Sequence, residues 1–276
     1  MSECLHILDR LGYSRLSGNA DQILIESVRD ALRIFGDAAG SLISILATDS
    51  GLSEKELLLD YRAVEMSLNR RLGKDIGKMI MGLIKKELLR HVPSADSDQD
   101  IGEIVDRIRI TDVVNFVRSR EGHEHVLFLY KNAKTKDEVL AEFFESAATT
   151  TPKGILSVSP CRIPSTNNML YGELLSVERS KAMSKAFDWV YTIHSVNDSK
   201  KGTRIAGEDA SWFFRNGLEN EFTQGERAIG TRAAENISFL CSYDLAKLDE
   251  RHLETIIPFH GFVILDDPPA VYKGPA

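Results

Sequence analysis

Through the first third of the chain apolar residues recur at helical spacing. Ile23, Val28, Leu32 and Phe35 stand on one face of a helix of about 3.6 residues per turn, and Gly36 closes the stretch. Asp37 is placed to cap the next helix, which carries Leu42, Ile43, Ile45 and Leu46 and ends near Gly51. Ser53 and Glu56 have the spacing of a capping box and open a short helix through Leu59. Residues 61–72 set Val64 and Leu68 on one side, and Gly73 interrupts them. Residues 75–90 carry Ile76, Met79, Ile80, Leu83, Ile84 and Leu88. No period-two alternation occurs here, so residues 1–91 read as a small all-helical domain with four or five helices across 21–91.

Residues 92–99 are almost wholly polar and read as a linker. Two apolar stripes follow: Ile101, Ile104, Val105, Ile108, then Ile110, Val113, Val114, Val117. They are offset by two residues, so one straight helix cannot bury both on one face. A break is predicted near Thr111, a good N-cap. Residues 92–122 are thus a linker and helical connector, whose stripes could pair with a second copy in a homodimer.

From His123 the pattern changes. Continuous apolar runs at 125–130, 154–159, 189–193, 237–243 and 261–265 have the length of buried strands. Helical stretches fall at 136–149, 171–184, 208–221, 226–235 and 249–256. Strands alternating with helices predict an α/β domain over 123–276, a mostly parallel sheet with helices on both faces. The Pro-rich tail after Asp266 is expected to fray.

Composition narrows the classes. Hydrophobic residues make up 43% and charged residues 27% of 276, enough for real cores. A net charge of −7 gives no general attraction to nucleic acid or an anionic membrane. Cys4, Cys161 and Cys241 are odd in number and lack a CxxC pair, so neither a disulfide framework nor a structural zinc site is expected. The first fifteen residues lack a basic region followed by an apolar one, and no run of about 18 apolar residues occurs. A cytoplasmic protein is expected.

In the first strand–loop–helix unit the loop is 131–137. A phosphate cradle needs glycines so that several backbone N–H groups can converge on the anion. This loop has none, only three lysines beside Asp137, so ATP hydrolysis is not expected. GxSxG, HExxH, GxGxxG and kinase signatures are absent. In His123-Glu124-His125 only the two histidines could share a strand face, no further ligand is evident, and a structural role without metal is preferred. Cys241 lies inside an apolar strand and reads as an inert small hydrophobe.

Ligands of open α/β sheets bind at the carboxyl ends of strands. Tyr130 ends the first strand, Tyr243 and Asp244 end the fourth, and His260 stands just before the last. Glu208, Trp212 and Arg215, at i, i+4 and i+7, would share a helix face. These seven residues form a candidate pocket for a small molecule. A Glu–Arg pair with Trp212 in the core is the alternative, and both stay open. Arg70, Lys74 and Lys78 would share a helical face in the basic stretch 70–90, which raises DNA binding, although a solvated face explains them as well.

These pieces resemble the MEDS sensory domain of methanogens and of the methylotroph regulator DcmR. The resemblance is carried by the strand His125-Val-Leu-Phe-Leu-Tyr130, Arg204 with Gly207-Glu208-Asp209, Trp212, Glu226, Phe239-Leu-Cys-Ser-Tyr-Asp244, and His260 with Val263-Ile264. It implies a RecA/KaiC-like layout without the ATPase loop, and the sensing of small hydrocarbon derivatives. The second strand departs from it in Ser157-Val-Ser-Pro-Cys-Arg162, which lacks the family's acidic or threonine residues. Residues 21–91 resemble a small helical output domain of Nitrosopumilus-type archaea, through Ala31-Leu32, Phe35-Gly36, Gly51-Leu52-Ser53 and Leu68 with Leu72-Gly73.

Three readings follow. The preferred one is a non-enzymatic signal-sensing or relay protein without a cofactor. It would bind a small metabolite in the α/β domain and act on a protein partner through the helical one. The others are a DNA-binding regulator and a residual nucleotide-binding ATPase-like protein.

Overall fold

A computed structural model of the protein describes residues 2–92, 98–120, 124–145, 151–159, 163, 166–174, 181–195, 202–231 and 236–275. In chain order the elements are α1 (Ser2–Arg10), β1 (Ser14–Arg15), α2 (Asn19–Leu32), α3 (Ala38–Ser50), α4 (Glu54–Leu59), α5 (Tyr61–Leu72), α6 (Lys74–Leu89) and α7 (Ile101–Arg118). Then come β2 (His125–Tyr130), α8 (Ala133–Glu145), β3 (Lys153–Ser157), β4 (Asn167–Leu170), α9 (Tyr171–Leu174), α10 (Ala182–Ser195) and β5 (Thr203–Gly207). The last are α11 (Trp212–Arg215), α12 (Glu219–Thr231), β6 (Ile237–Asp244), α13 (Glu250–Ile256), β7 (Phe262–Asp266) and β8 (Pro269–Lys273). They form two compact units, one of residues 17–112 and one of residues 1–16 with 113–276.

The first unit is helical. Its core joins Leu24, Val28 and Leu32 of α2, Leu46 of α3, Leu57 of α4, Leu68 of α5 and Ile80, Ile84 and Leu88 of α6. The capping box is present: Glu56 N–H donates to Ser53 Oγ at 3.3 Å, and Ser53 N–H to Glu56 Oε2 at 2.8 Å. Gly51 ends α3 in the left-handed region at φ 71°, where a β-carbon is strained. The side chain of Asp37 makes no cap bond, because Asp37 already has helical φ/ψ.

α7 is one unbroken helix. Thr111 is no cap; its hydroxyl donates to Arg107 O at 2.9 Å inside the helix. The two stripes are offset because they serve two cores. Ile104, Val105 and Ile108 join the helical core, whereas Val113, Val114 and Val117 are buried within the other unit. Six of the eight stripe residues are buried in their own chain, and Ile101 and Ile110 are partly exposed.

The second unit is α/β. Its eight strands run in the order β1-β8-β7-β2-β6-β5-β3-β4. From β7 to β4 all neighbours are parallel, and β8 and β1 add an antiparallel edge. The tail after Asp266 therefore does not fray: β8 pairs with β7 and β1. α1 and β1, expected in the helical domain, belong here, with Cys4, Ile7 and Leu8 of α1 in the core beside Leu253 and Ile256 of α13. The run 189–193 is helix, not strand, as part of α10. β3 has Gly154 where α10 crosses, and a β-carbon there would lie 2.7 Å from Ile193 Cδ1. The third long strand is instead β5, with every residue from Thr203 to Ala206 buried.

Candidate functional site

At the carboxyl ends of the strands Tyr130 lies among Glu208, Asp244 and Arg215, whose charges all act on its phenol. Glu208 follows β5 directly and is not on a helix with Trp212 and Arg215. Its N–H donates to Leu156 O at 2.7 Å, and its carboxylate pairs with Lys136. Lys136 also lies 3.1 Å from Asp137 and 5.8 Å from the centre of the Tyr130 ring. Burial lowers the Lys136 ammonium, but these two carboxylates outweigh it and raise the pKa. Burial together with Asp209, Asp244 and Glu208 raises the Tyr130 phenol. Asp209, left-handed at φ 54°, receives Arg215 and Lys247, each at 3.0 Å. Lys247 reaches Asp244 at 2.9 Å, and Trp212 stacks on Tyr171 at 5.3 Å. This rim is a set of internal ion pairs.

The loop after β2 carries its own anion. Lys131 N–H donates to both oxygens of Asp266, at 2.9 and 3.0 Å, and Asn132 N–H to Oδ2 at 2.8 Å. Burial raises the Asp266 carboxyl in spite of these bonds. The amides that a phosphate oxygen would use in such a loop are occupied by a carboxylate from the end of β7.

The opposite, amino-terminal side of the sheet holds a buried polar cluster. His125 opens β2, and Cys241 lies two residues beyond its β6 partner Phe239, so their side chains share a sheet face. Glu226 comes from α12 on that face, and His260 from the turn before β7. Exposures of 7%, 4%, 7% and 3% for His125, Glu226, Cys241 and His260 exclude bulk water from all four. Their metal-ligating atoms lie within 4.8 Å of one another. This overturns the expectation that His125 has no further ligand beside it; His123 lies outside the described residues.

The geometry orients every group. His125 Nδ1 stands 3.0 Å from Phe259 O, and His260 Nδ1 2.9 Å from Ile256 O. A carbonyl can only accept, so both Nδ1 atoms carry hydrogen, and each ring turns its Nε2 inward. His125 Nε2 is 3.0 Å from Glu226 Oε2 and 3.4 Å from Cys241 Sγ, and His260 Nε2 is 3.6 Å from the same carboxylate oxygen. Tyr243 O–H donates to Glu226 Oε1 at 3.2 Å. Glu226 Oε2 and His260 Nε2 have no hydrogen-bond partner.

Burial alone would raise Glu226, but the facing imidazoles and the Tyr243 bond hold it below the usual carboxylate value. Burial and the neighbouring His125 push His260 down to about 3. Burial and the Glu226 charge push the Cys241 thiol and the Tyr243 phenol well up.

Glu226 and Cys241 also form part of the wall of a cavity of about 60 Å³. The rest of that wall is apolar, with Leu156, Ile205, Phe213 and Phe222 among its side chains. At roughly 10–15 Å³ per water-sized group the space suits a molecule of a few heavy atoms.

Of the predicted residues, the structure thus brings His260 and Tyr243 to the buried cluster and leaves Tyr130, Glu208, Trp212, Arg215 and Asp244 on or near the rim. It adds His125, Glu226 and Cys241. Glu226 carried a legible signal: it stands in register with Phe222 and Ile229, an acid on the apolar stripe of α12. Arg204 is structural, its buried guanidinium donating to Phe143 O and, at 2.7 Å, to Arg120 O. Arg70 lies in the last turn of α5, and Lys74 and Lys78 stand in the first turns of α6 beyond Gly73, φ 85°, so the three do not share one helical face. Arg70 donates to Asp49 O at 3.2 Å. Cys161 lies outside the described residues.

No single described helix is long and apolar enough to cross a membrane. α2 with its 3-10 extension and α3 pass only as a pair bent by 119°. No protein-family model, curated protein or solved structure matches the chain.

Proposed function

We propose that the chain is a sensory protein whose α/β unit takes a small, largely apolar organic molecule into the cavity walled by Phe213, Phe222, Glu226 and Cys241. The observation that carries the reading is the cavity itself: a largely apolar enclosure that includes Glu226 and Cys241 in its wall suits a small, largely apolar molecule. The resemblance to the MEDS sensory domain supports the ligand class, short hydrocarbon derivatives, and Glu226 and Cys241 are among the residues that carry it. The central strand order β7-β2-β6-β5-β3 supports a RecA/KaiC-like layout. Asp266 on the Lys131 and Asn132 amides favours a receptor over a nucleotide hydrolase.

In this reading the occupied cavity biases α7, a continuous helix with buried residues in both units. The helical unit, acting as an all-α output domain in the cytoplasm, meets a protein partner. A ligand shifts such an equilibrium only by its differential affinity for the two states. DNA binding through Arg70, Lys74 and Lys78 is the lesser reading, since those residues are split between two helices.

Thermal denaturation with a panel of short-chain alcohols, amines and haloalkanes tests this. At 100-fold excess over Kd a bound ligand adds about 2.7 kcal/mol, or roughly 5–10 °C in Tm. Ala186→Leu, which fills the cavity wall, should abolish that shift while the protein stays folded. No shift across the panel, or an equal shift in Ala186→Leu, would sink the proposal.

A further inference from the structure

We propose that His125, Glu226, Cys241 and His260 bind one borderline divalent transition-metal ion, zinc by preference, through both Nε2 atoms, Glu226 Oε2 and Cys241 Sγ. The inference stands apart from the sensory reading, since an ion can sit here whether or not the cavity takes a ligand.

Three observations carry it. The first is distance. A tetrahedral site with metal–ligand bonds of about 2.0–2.3 Å has ligand-to-ligand edges of roughly 3.3–3.8 Å. The separations of 3.0, 3.4 and 3.6 Å between His125 and Glu226, His125 and Cys241, and His260 and Glu226 lie close to those edges. Small side-chain movements separate this arrangement from an occupied one.

The second is the direction of the lone pairs. Backbone carbonyls of Phe259 and Ile256 take the Nδ1 hydrogens, so each Nε2 is turned to the centre. Tyr243 holds the far oxygen of Glu226. These are the outer bonds that orient imidazole and carboxylate ligands in metal sites. At the centre Glu226 Oε2 and His260 Nε2, both fully buried, have no partner. Two buried polar atoms 3.6 Å apart, neither with a hydrogen-bond partner, are satisfied together by an ion that both can ligate.

The third is charge and softness. Binding displaces the Cys241 thiol proton to solvent, leaving one thiolate, one carboxylate and two neutral imidazoles. Two negative charges and a dication sum to zero, the balance a water-free site requires. Mixed nitrogen, sulfur and oxygen donors suit zinc or its neighbours and disfavour magnesium and calcium. The site is assembled from β2, α12, β6 and the turn before β7, so an ion here would tie together the sheet and the helix that covers it.

The test uses the full chain, stripped with dipicolinate and titrated with cobalt(II), then zinc. Expected is one cobalt per chain, with visible ligand-field bands and a near-ultraviolet thiolate band, both removed by one equivalent of zinc. Cys241→Ser should lose the thiolate band, and Glu226→Gln, which changes a direct ligand, should weaken zinc binding by at least the 10- to 100-fold that loss of an outer bond costs. The double variant Cys4→Ala, Cys161→Ala keeps the quartet and should keep both band and stoichiometry. If Cys241→Ser does not fold, the wild type and this double variant decide. Substoichiometric binding, a band that survives in Cys241→Ser, or one lost in the double variant overturns the site. A stoichiometric ion without any ligand-induced Tm shift keeps the metal site and removes the receptor; the converse removes only the metal site.

Discussion

Buried polar groups in this protein stay where a partner compensates the loss of water, and the partner is usually distant in sequence. Asp266 is one case, with two amides from 134 and 135 residues away. Asp266→Ala leaves those N–H groups without their acceptor, at about 1–3 kcal/mol for a group left unsatisfied. Asp266→Asn keeps one oxygen and should cost less. Urea denaturation of both variants measures the difference, and equal losses would mean that the two amide bonds contribute nothing. In the same unit Cys4 and Tyr13 are buried, and burial raises the thiol to about 11 and the phenol to about 12. Raised folded values mean stability that is full below pH 9 and declines as pH rises through 11 and 12. Unfolding midpoints should fall from pH 9 upward, and Cys4→Ala should flatten the first part of the slope. None of these pairings was legible in the sequence, because a side chain's type is local and its partner is set by the fold. His125 and Cys241 were each readable as satisfied core residues, and only the β2–β6 register puts them on one face.

Elements were legible where period and boundary signals agreed. The Ser53–Glu56 box, Gly51, Gly73 and the strands at 125–130 and 237–243 all fall where apolar pattern and punctuation coincide. The sequence misleads where one pattern serves two environments. Trp189–Val–Tyr–Thr–Ile193 is a five-residue apolar run, and on the face of α10 it packs as well as a strand would. β5 was hidden because a buried Arg204 interrupts Thr203, Ile205 and Ala206. α7 is the sharpest instance, since its stripe shifts midway without any break in the backbone. Proline at position 111 separates the two descriptions. At the first turn of a new helix it would be tolerated; inside one helix it removes a hydrogen bond and clashes, at about 3 kcal/mol or more. Thr111→Pro is therefore expected to lower stability by at least that much, and Thr111→Ala to be near neutral, by circular dichroism and urea melts. A proline variant as stable as wild type would place a break there after all.

At the scale of the whole molecule, both ends of the chain complete the same sheet. Alternation of strands and helices from 125 to 266 was enough to read an α/β fold, but not to see that residues 1–16 and 267–273 close its edge. β1 is two residues long and β8 begins at a proline, so neither carries a strand pattern; their order comes from β8 pairing with β7, from β1 pairing with β8, and from Tyr13, whose hydroxyl donates to Ile257 O and His260 O at 2.8 and 2.6 Å. Removing residues 267–276 would uncover the full edge of β7, leave β1 without a partner and expose the side of Tyr13 that Gly274 covers. Burial of Val271 alone is worth about 1.5–3 kcal/mol, and a bare parallel strand edge invites pairing between copies. The truncated chain should therefore unfold at lower urea and elute as larger species on size exclusion. A frayed tail would predict no change in either measurement. The consequence reaches the buried cluster as well, because His260 is held between Tyr13 and the start of β7: if the edge is what fixes that turn, the truncation should also weaken cobalt binding, even though it removes none of the four ligands.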